Sequence, residues 1–199
     1  MSQASPITLT ALGKVQGLQK QLLASLDKTS AGLGHFLKVL AQSPSAHKAY
    51  AELQTLNHNG KLDRLTGLRI ALTLAALNQC QHSLSLHTLS AREAGLNSSE
   101  IDSNRQGTSQ DAKGAVAVQF VRNLANLSSN HQALSSQQWH NIRNAGYSDP
   151  EILEIISHVA MNLLGNMLTT AKEVESNFAP LNLNTLDEKS ELSEAPTSL

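Results

Sequence analysis

The sequence predicts an all-α protein, and two observations carry that prediction. Aromatic residues make up only 3% of the 199 residues, so the core must be filled by Leu, Ile, Val and Ala. Such side chains suit close helix-on-helix packing better than a sheet rich in Val, Thr and Tyr. Apolar residues also recur at three- and four-residue steps over long stretches, which is the helical period. The length fits one domain that buries a real core. We read residues 1–177 as a single helical domain, made of an N-terminal helix at 8–26, a core at 32–107 and C-terminal helices at 111–175. Residues 178–199, dominated by Asn, Glu, Ser, Thr and Pro, hold too little apolar surface to offset chain entropy and read as a disordered tail.

The elements follow in order. Leu9, Leu12, Val15, Leu18, Leu22 and Leu26 form a narrow apolar stripe from about Thr8 to Leu26. Gly32 and Gly34 break it. His35 to Ala41 reads as a short helix, and Pro44 suits the first turn of a helix running to about Asn59, where Gly60 stops it. Leu62 to Leu77 is apolar nearly all round and should be the buried central helix. Arg69 points about 100° away from Leu68 and reads as a surface or interface charge. The next helix should run to about Ala94, with Gly95 as a left-handed cap. Asn97 to Glu100 offers capping side chains for a short helix closed by Arg105 to Thr108. Val116, Val118, Phe120, Val121, Leu124 and Leu127 mark a helix from about Asp111 to Ser128, with Gly114 weakening its first turn. Ser128 to His131 reads as a turn. Ser135 to Gln138 caps a helix through Asn144 that carries Trp139, a packing anchor. Ser148-Asp149-Pro150-Glu151 starts a last helix reaching about Val174, on which His158 is read as exposed or interhelical.

One stretch stands apart from this scaffold. Asn78-Gln79-Cys80-Gln81-His82-Ser83-Leu84-Ser85-Leu86-His87 holds the single cysteine of the chain. Seven helical steps of about 100° bring His87 back to within about 20° of Cys80, with Ser83 between them on the same stripe. Asn78 is a good N-cap, which would put Cys80 in a first turn where the helix dipole favours a thiolate. His82 would project about 200° from Cys80, away from that stripe. A structural reading stands beside the chemical one, since a lone cysteine usually behaves as a small hydrophobe. The same holds for Phe36, which fits either a pocket wall or plain core packing. No phosphate-binding glycine loop or zinc spacing appears, and Cys80, His82 and His87 lack a fourth ligand nearby, so neither a metal nor a cofactor is expected.

With Ile70 to Leu77 before it and Ala91-Arg92-Glu93-Ala94-Gly95 after it, this stretch resembles the carboxymuconolactone decarboxylase and AhpD-like alkylhydroperoxidase family. That family's core is a glutamate, eleven residues, Cys-x-x-Cys-x-x-x-His and a small-residue helix ending in Ala-Gly. Cys80 falls on the first cysteine, His87 on the histidine, and His82 on a histidine some members carry between the cysteines. Ser83 stands at the second cysteine and Leu68 at the glutamate. Ala145-Gly146-Tyr147, Glu154 and Asn166 match longer members, with Met167 where an aromatic would stand. The resemblance spans roughly Gly32 to Pro180. It implies an AhpD-like helical bundle with a buried central helical hairpin and a tendency to form homo-oligomers.

The resemblance also implies chemistry. In the family the second cysteine meets the peroxide, activated through the histidine and glutamate, and the first forms a disulfide with it. Here no internal disulfide can form, so either Cys80 works alone or the site has no redox chemistry. The first option makes the protein a thiol-dependent peroxidase with Cys80 as nucleophile, His87 as base or thiolate partner and Ser83 as hydrogen-bond donor. His82, Leu68 and Phe36 would line its pocket. Its partners would be a hydroperoxide and an external thiol reductant. The second option is a small-ligand-binding or oligomeric scaffold protein, and a third is the lactone decarboxylase chemistry of the family's other branch. With 15 Lys+Arg against 16 Asp+Glu, no basic field exists to collect nucleic acid or a membrane surface. No secretory signal is visible near Met1 and no apolar stretch approaches the ~20 residues of a membrane span, so a cytoplasmic location is expected.

Overall fold

The computed structural model describes residues 40, 43–127 and 133–170, and among these every regular element is a helix. The expected N-terminal helix, the pocket candidate Phe36, the turn at 128–131 and the tail lie outside the described residues. The helices are α1 (Pro44–Gln54), α2 (Leu56–Asn59), α3 (Arg64–Leu77), α4 (Gln81–Glu93), α5 (Ser98–Arg105), α6 (Ala112–Ala125), α7 (Ser136–Asn144) and α8 (Asp149–Thr170). The helix expected to run unbroken from Pro44 to Asn59 is divided at Thr55. There the hydroxyl and the backbone N–H of Thr55 both turn back to the carbonyl of Glu52, the local competition that Thr offers to helix bonds.

Everything is arranged around α3. Asp63 caps it by accepting from the Thr66 N–H at 2.8 Å, and the run from Arg69 to Ala75 is buried without interruption. This is what a helix apolar on all sides requires, because no face of it is fit for water. It packs against α4, α5, α6 and α8. On one side Ile70 and Leu74 join Phe120, Val121, Ile142, Ile152 and Ile155 in the larger core. On another, Leu72 and Ala75 meet Leu84, Ala91, Leu96 and Ile101. Trp139 packs against the larger core with its ring centroid 5.4 Å from that of Phe120 in an edge-on arrangement, the anchor role expected of it.

Arg69 corrects its sequence reading. It is buried, and its Nε donates to Glu100 Oε1 at 2.8 Å. Because α3 is enclosed, every direction away from Leu68 leads into protein. Glu100 also accepts from Asn104 Nδ2 at 2.9 Å, the Gln110 N–H at 2.6 Å and the Ser109 hydroxyl. Burial alone would raise its pKa, but the donors from Ser109, Gln110, Arg69 and Asn104 together hold it below the ordinary carboxylate value. Gly114 makes room for this pair, since a Cβ there would stand 2.9 Å from Arg69 Cδ. The glycine is a passage for the arginine as well as a weak point in α6.

α8 corrects a second expectation. Asp149–Thr169 is long and apolar enough to cross a membrane by length and composition. Its apolar residues are interrupted by Ser157, His158, Asn162 and Asn166, so no continuous run shows in the sequence. Ile152, Ile155 and Val159 lie in the larger core, and His158, Asn162 and Asn166 are buried, the pattern of a core helix.

Candidate functional site

The corner between α3 and α4 sets the site. Asn78 is the C-cap of α3 and Gln79 takes a left-handed conformation with φ 52°. The Cys80 N–H bonds the Ala75 carbonyl at 3.0 Å and the Gln79 N–H bonds the Ala76 carbonyl at 3.1 Å, a Schellman closure built without glycine. Cys80 is then at once the residue that closes α3 and the N-cap of α4. The expectation of Asn78 as N-cap is therefore corrected: its backbone is spent on ending α3, and α4 starts two residues later.

Cys80 is only 3% exposed. Its sulfur donates to Ser83 Oγ at 3.1 Å and lies 3.0 Å from Thr169 Oγ1 on α8. Both hydroxyls line a half-open cavity of about 610 Å³ walled by α1, α2, α3, α4 and α8, whereas Cys80 itself is not part of its wall. The sulfur thus sits one hydroxyl layer behind the cavity. α4 is uncapped by any side chain at its start, which leaves first-turn N–H groups and the positive end of the helix dipole next to Cys80 and Ser83.

His82, Ser83, Leu86, His87 and Ser90 of α4 share the cavity wall with Leu68 and Gly67 of α3. Ser83 and His87 share the wall, Cys80 reaches it only through Ser83 and Thr169, and Leu68 lines the cavity from the glutamate position. His82 is a correction. Because Cys80 is an extended N-cap with ψ 90°, helical angles counted from it do not apply, and His82 reaches the same wall. Burial is the first cause that lowers the His87 pKa to about 4, and the neighbouring His82 adds to it. His87 is therefore neutral near pH 7, able to accept a proton but a weak base.

Sequence reasoning missed the α8 side of the cavity. His158, Asn162 and Asn166 are all buried and line it, so His158 is interhelical and not exposed. Their spacing of four residues on an otherwise apolar helix was the available signal. Met167, in contrast, is 65% exposed. Tyr50 and Gln54 of α1 complete the wall, joined at 2.7 Å by a hydrogen bond from Gln54 Nε2 to the Tyr50 hydroxyl. Among the described residues no group of three His, Cys, Asp or Glu side chains is placed to hold a metal ion.

Residues 44–126 match the model of the carboxymuconolactone decarboxylase family. No curated protein matches the chain. Among solved structures, an uncharacterized peroxidase-related protein from Silicibacter sp. is similar at 17% identity and TM-score 0.66, over 89% of this chain and 95% of that one. An uncharacterized peroxidase-related protein from Ralstonia eutropha, an alkylhydroperoxidase AhpD core, is similar at 14% identity and TM-score 0.66, over 89% of this chain and 100% of the other. The debrominase Bmp8, solved with 2,3,4-tribromopyrrole, is similar at 17% identity and TM-score 0.64, over 92% and 99%. At such identities the likeness is one of fold. Over residues 44–126, the core that runs from α1 to α6, the chain is similar to the carboxymuconolactone decarboxylase family, and its fold is that of the AhpD-like helical proteins.

Proposed function

We propose that the protein is an AhpD-like thiol-dependent peroxidase that reduces a small hydroperoxide through one cysteine. The observation that supports this reading is the contact of the Cys80 sulfur with two hydroxyls, Ser83 and Thr169, that are themselves cavity wall. A thiolate at Cys80 would be stabilised by hydroxyl donors and by the open start of α4. The thiol proton passes to Ser83 Oγ, and the Ser83 proton passes to neutral His87. The thiolate then attacks the outer peroxide oxygen as the O–O bond breaks, giving a sulfenic acid, and the leaving alkoxide takes the proton from His87. Sulfur is oxidised by two electrons and the peroxide is reduced to an alcohol. An external thiol displaces water from the sulfenic acid to form a mixed disulfide, and a second thiol releases Cys80. A cytoplasmic setting supplies such thiols, and a homo-oligomer is the proposed assembly.

Peroxide consumption with a series of thiol reductants, together with mass spectrometry of the folded protein, tests the reading. We expect turnover by the native protein, none by Cys80→Ser, and a trappable sulfenic acid at Cys80. An unmodified sulfur after oxidant challenge of folded protein would overturn it.

A second reading, a redox-inactive small-ligand-binding protein, is favoured by one specific fact: Ser83 and Leu68 face the cavity while the sulfur does not. The debrominase similar in fold was solved with a small ring compound, which supports a ligand of that size. Resistance of native Cys80 to alkylation, with ligand binding retained, would decide for this reading. Lactone decarboxylation of a dicarboxylate is disfavoured, because the wall sets Arg64 beside Asp63 and Glu93, a poor charge balance for a dianion.

A further inference from the structure

We infer that His158 is a ligand-binding residue, and that the cavity takes a small neutral molecule with an apolar body and one protic head group, an O–H or N–H, held by the His158 ring. The inference rests on the cavity being a small-molecule site, as in the proposed function, and not on Cys80 reacting.

His158 is 4% exposed, lines the cavity, and among the described residues its ring nitrogens make no hydrogen bond. The ring nitrogens are not among the sealed polar atoms without a partner, so they keep access to the cavity and hydrogen-bonding capacity that a ligand there can use. The imidazole is also held in place. The ring lies over Gly67 of α3, where a Cβ would stand 3.3 Å from His158 Cε1. One turn along α8, Asn162 donates one N–H of its Nδ2 to the His158 carbonyl at 2.8 Å, which leaves its side-chain oxygen and its second amide N–H as groups it can offer a ligand. His158, Asn162 and Asn166 recur every four residues and so form one polar stripe on the cavity side of α8.

The chemistry of the ligand follows from what surrounds that stripe. Burial holds His158 neutral against the opposing influence of Glu154, so one ring nitrogen accepts and the other donates. Leu68, Leu86 and Met161 supply apolar wall, while Ser83 and His87 face the same space from α4. An ionised head at this stripe would meet neutral imidazoles, and the wall's charges, Arg64 against Asp63 and Glu93, leave no net positive charge to hold an anion. An alcohol, a hydroperoxide or a ring N–H would find both an acceptor and a donor.

Two probes of one shape test this: 2-phenyl-2-propanol and tert-butylbenzene, which differ by a hydroxyl in place of a methyl. Binding is measured to the native protein and to Cys80→Ser, with the histidine ring nitrogens followed by NMR. The alcohol should bind roughly tenfold tighter than the hydrocarbon, the worth of one buried hydrogen bond, and should move the His158 ring-nitrogen signals. In His158→Leu that advantage should vanish while hydrocarbon binding holds. Equal binding of the two probes, unmoved His158 signals in the native protein, or an advantage that survives His158→Leu would each overturn the inference. Should His158→Leu not fold, the native spectra and probe pair still give the answer. A protein that consumes no peroxide but keeps the alcohol preference would refute the peroxidase and leave this inference standing.

Discussion

Two polar clusters hang on α3, and they are built to opposite plans. At one end Arg69 and Glu100 are buried together, and the carboxylate accepts from four donors. On the cavity side, His158 has no hydrogen bond to its ring among the described residues, and Ser83 and Thr169 share one sulfur. A carboxylate whose four donors all come from the chain fastens helices together, although Asn104 Oδ1 beside it is buried without a partner, whereas an imidazole open to a cavity keeps capacity for something that is not part of the chain. The contrast is between polarity spent within the chain and polarity left open to the cavity.

Breaking the buried ion pair should cost the most. Glu100→Ala leaves the Arg69 guanidinium buried without its partner and should lower unfolding free energy by about 3–5 kcal/mol in denaturant titrations, without altering ligand preference in the cavity. A loss under 1 kcal/mol would mean that the two clusters do not differ in kind.

Acid sharpens the comparison. His87 and His158 have folded pKa values below the ordinary 6.5, so the unfolded chain binds protons first. Their contribution is complete above pH 6.5 and is lost as pH falls from there towards about 4 for His87, at up to about 1.4 kcal/mol per pH unit for each group. Glu100, whose folded pKa is lowered, contributes fully above its unfolded value and loses that contribution as pH drops through the folded one. Stability measured against pH should therefore fall in two stages, the cavity histidines first. His87→Asn should flatten the upper stage.

Smaller effects probe the corner. Gln79→Gly relieves a left-handed backbone at a non-glycine residue and should add up to about 1 kcal/mol. Ser83→Ala should change stability by about 0.5–1 kcal/mol, the net worth of a hydrogen bond, yet slow alkylation of Cys80 severalfold if its hydroxyl conducts the thiol proton. An unchanged alkylation rate would remove Ser83 from that route.

The helical class, the enclosed α3, the Gly95 cap and the shared face of Ser83 and His87 were all legible, because periodicity and turn-forming residues announce them. Gly95 does take φ 93°. The start of α4 was not legible, since nothing in Gln79 advertises a left-handed backbone. Arg69 was misjudged because an angle on a helix says nothing of outside and inside when the helix has no outside. His158 was given no role because the glycine its ring covers lies on α3, and only its four-residue spacing to Asn162 and Asn166 showed locally.

Cys80 ends one helix and begins the next, so the hinge between α3 and α4 contains no spare residue. Inserting or deleting a single amino acid there could not be absorbed as slack. It would turn α4 by about 100° about its own axis, swing Ser83 and His87 off the wall they now share, and present a different row of side chains to whatever the hollow holds. Length variation at this point of the chain is thus closed off, while the chemistry of the residues beyond it stays open to change.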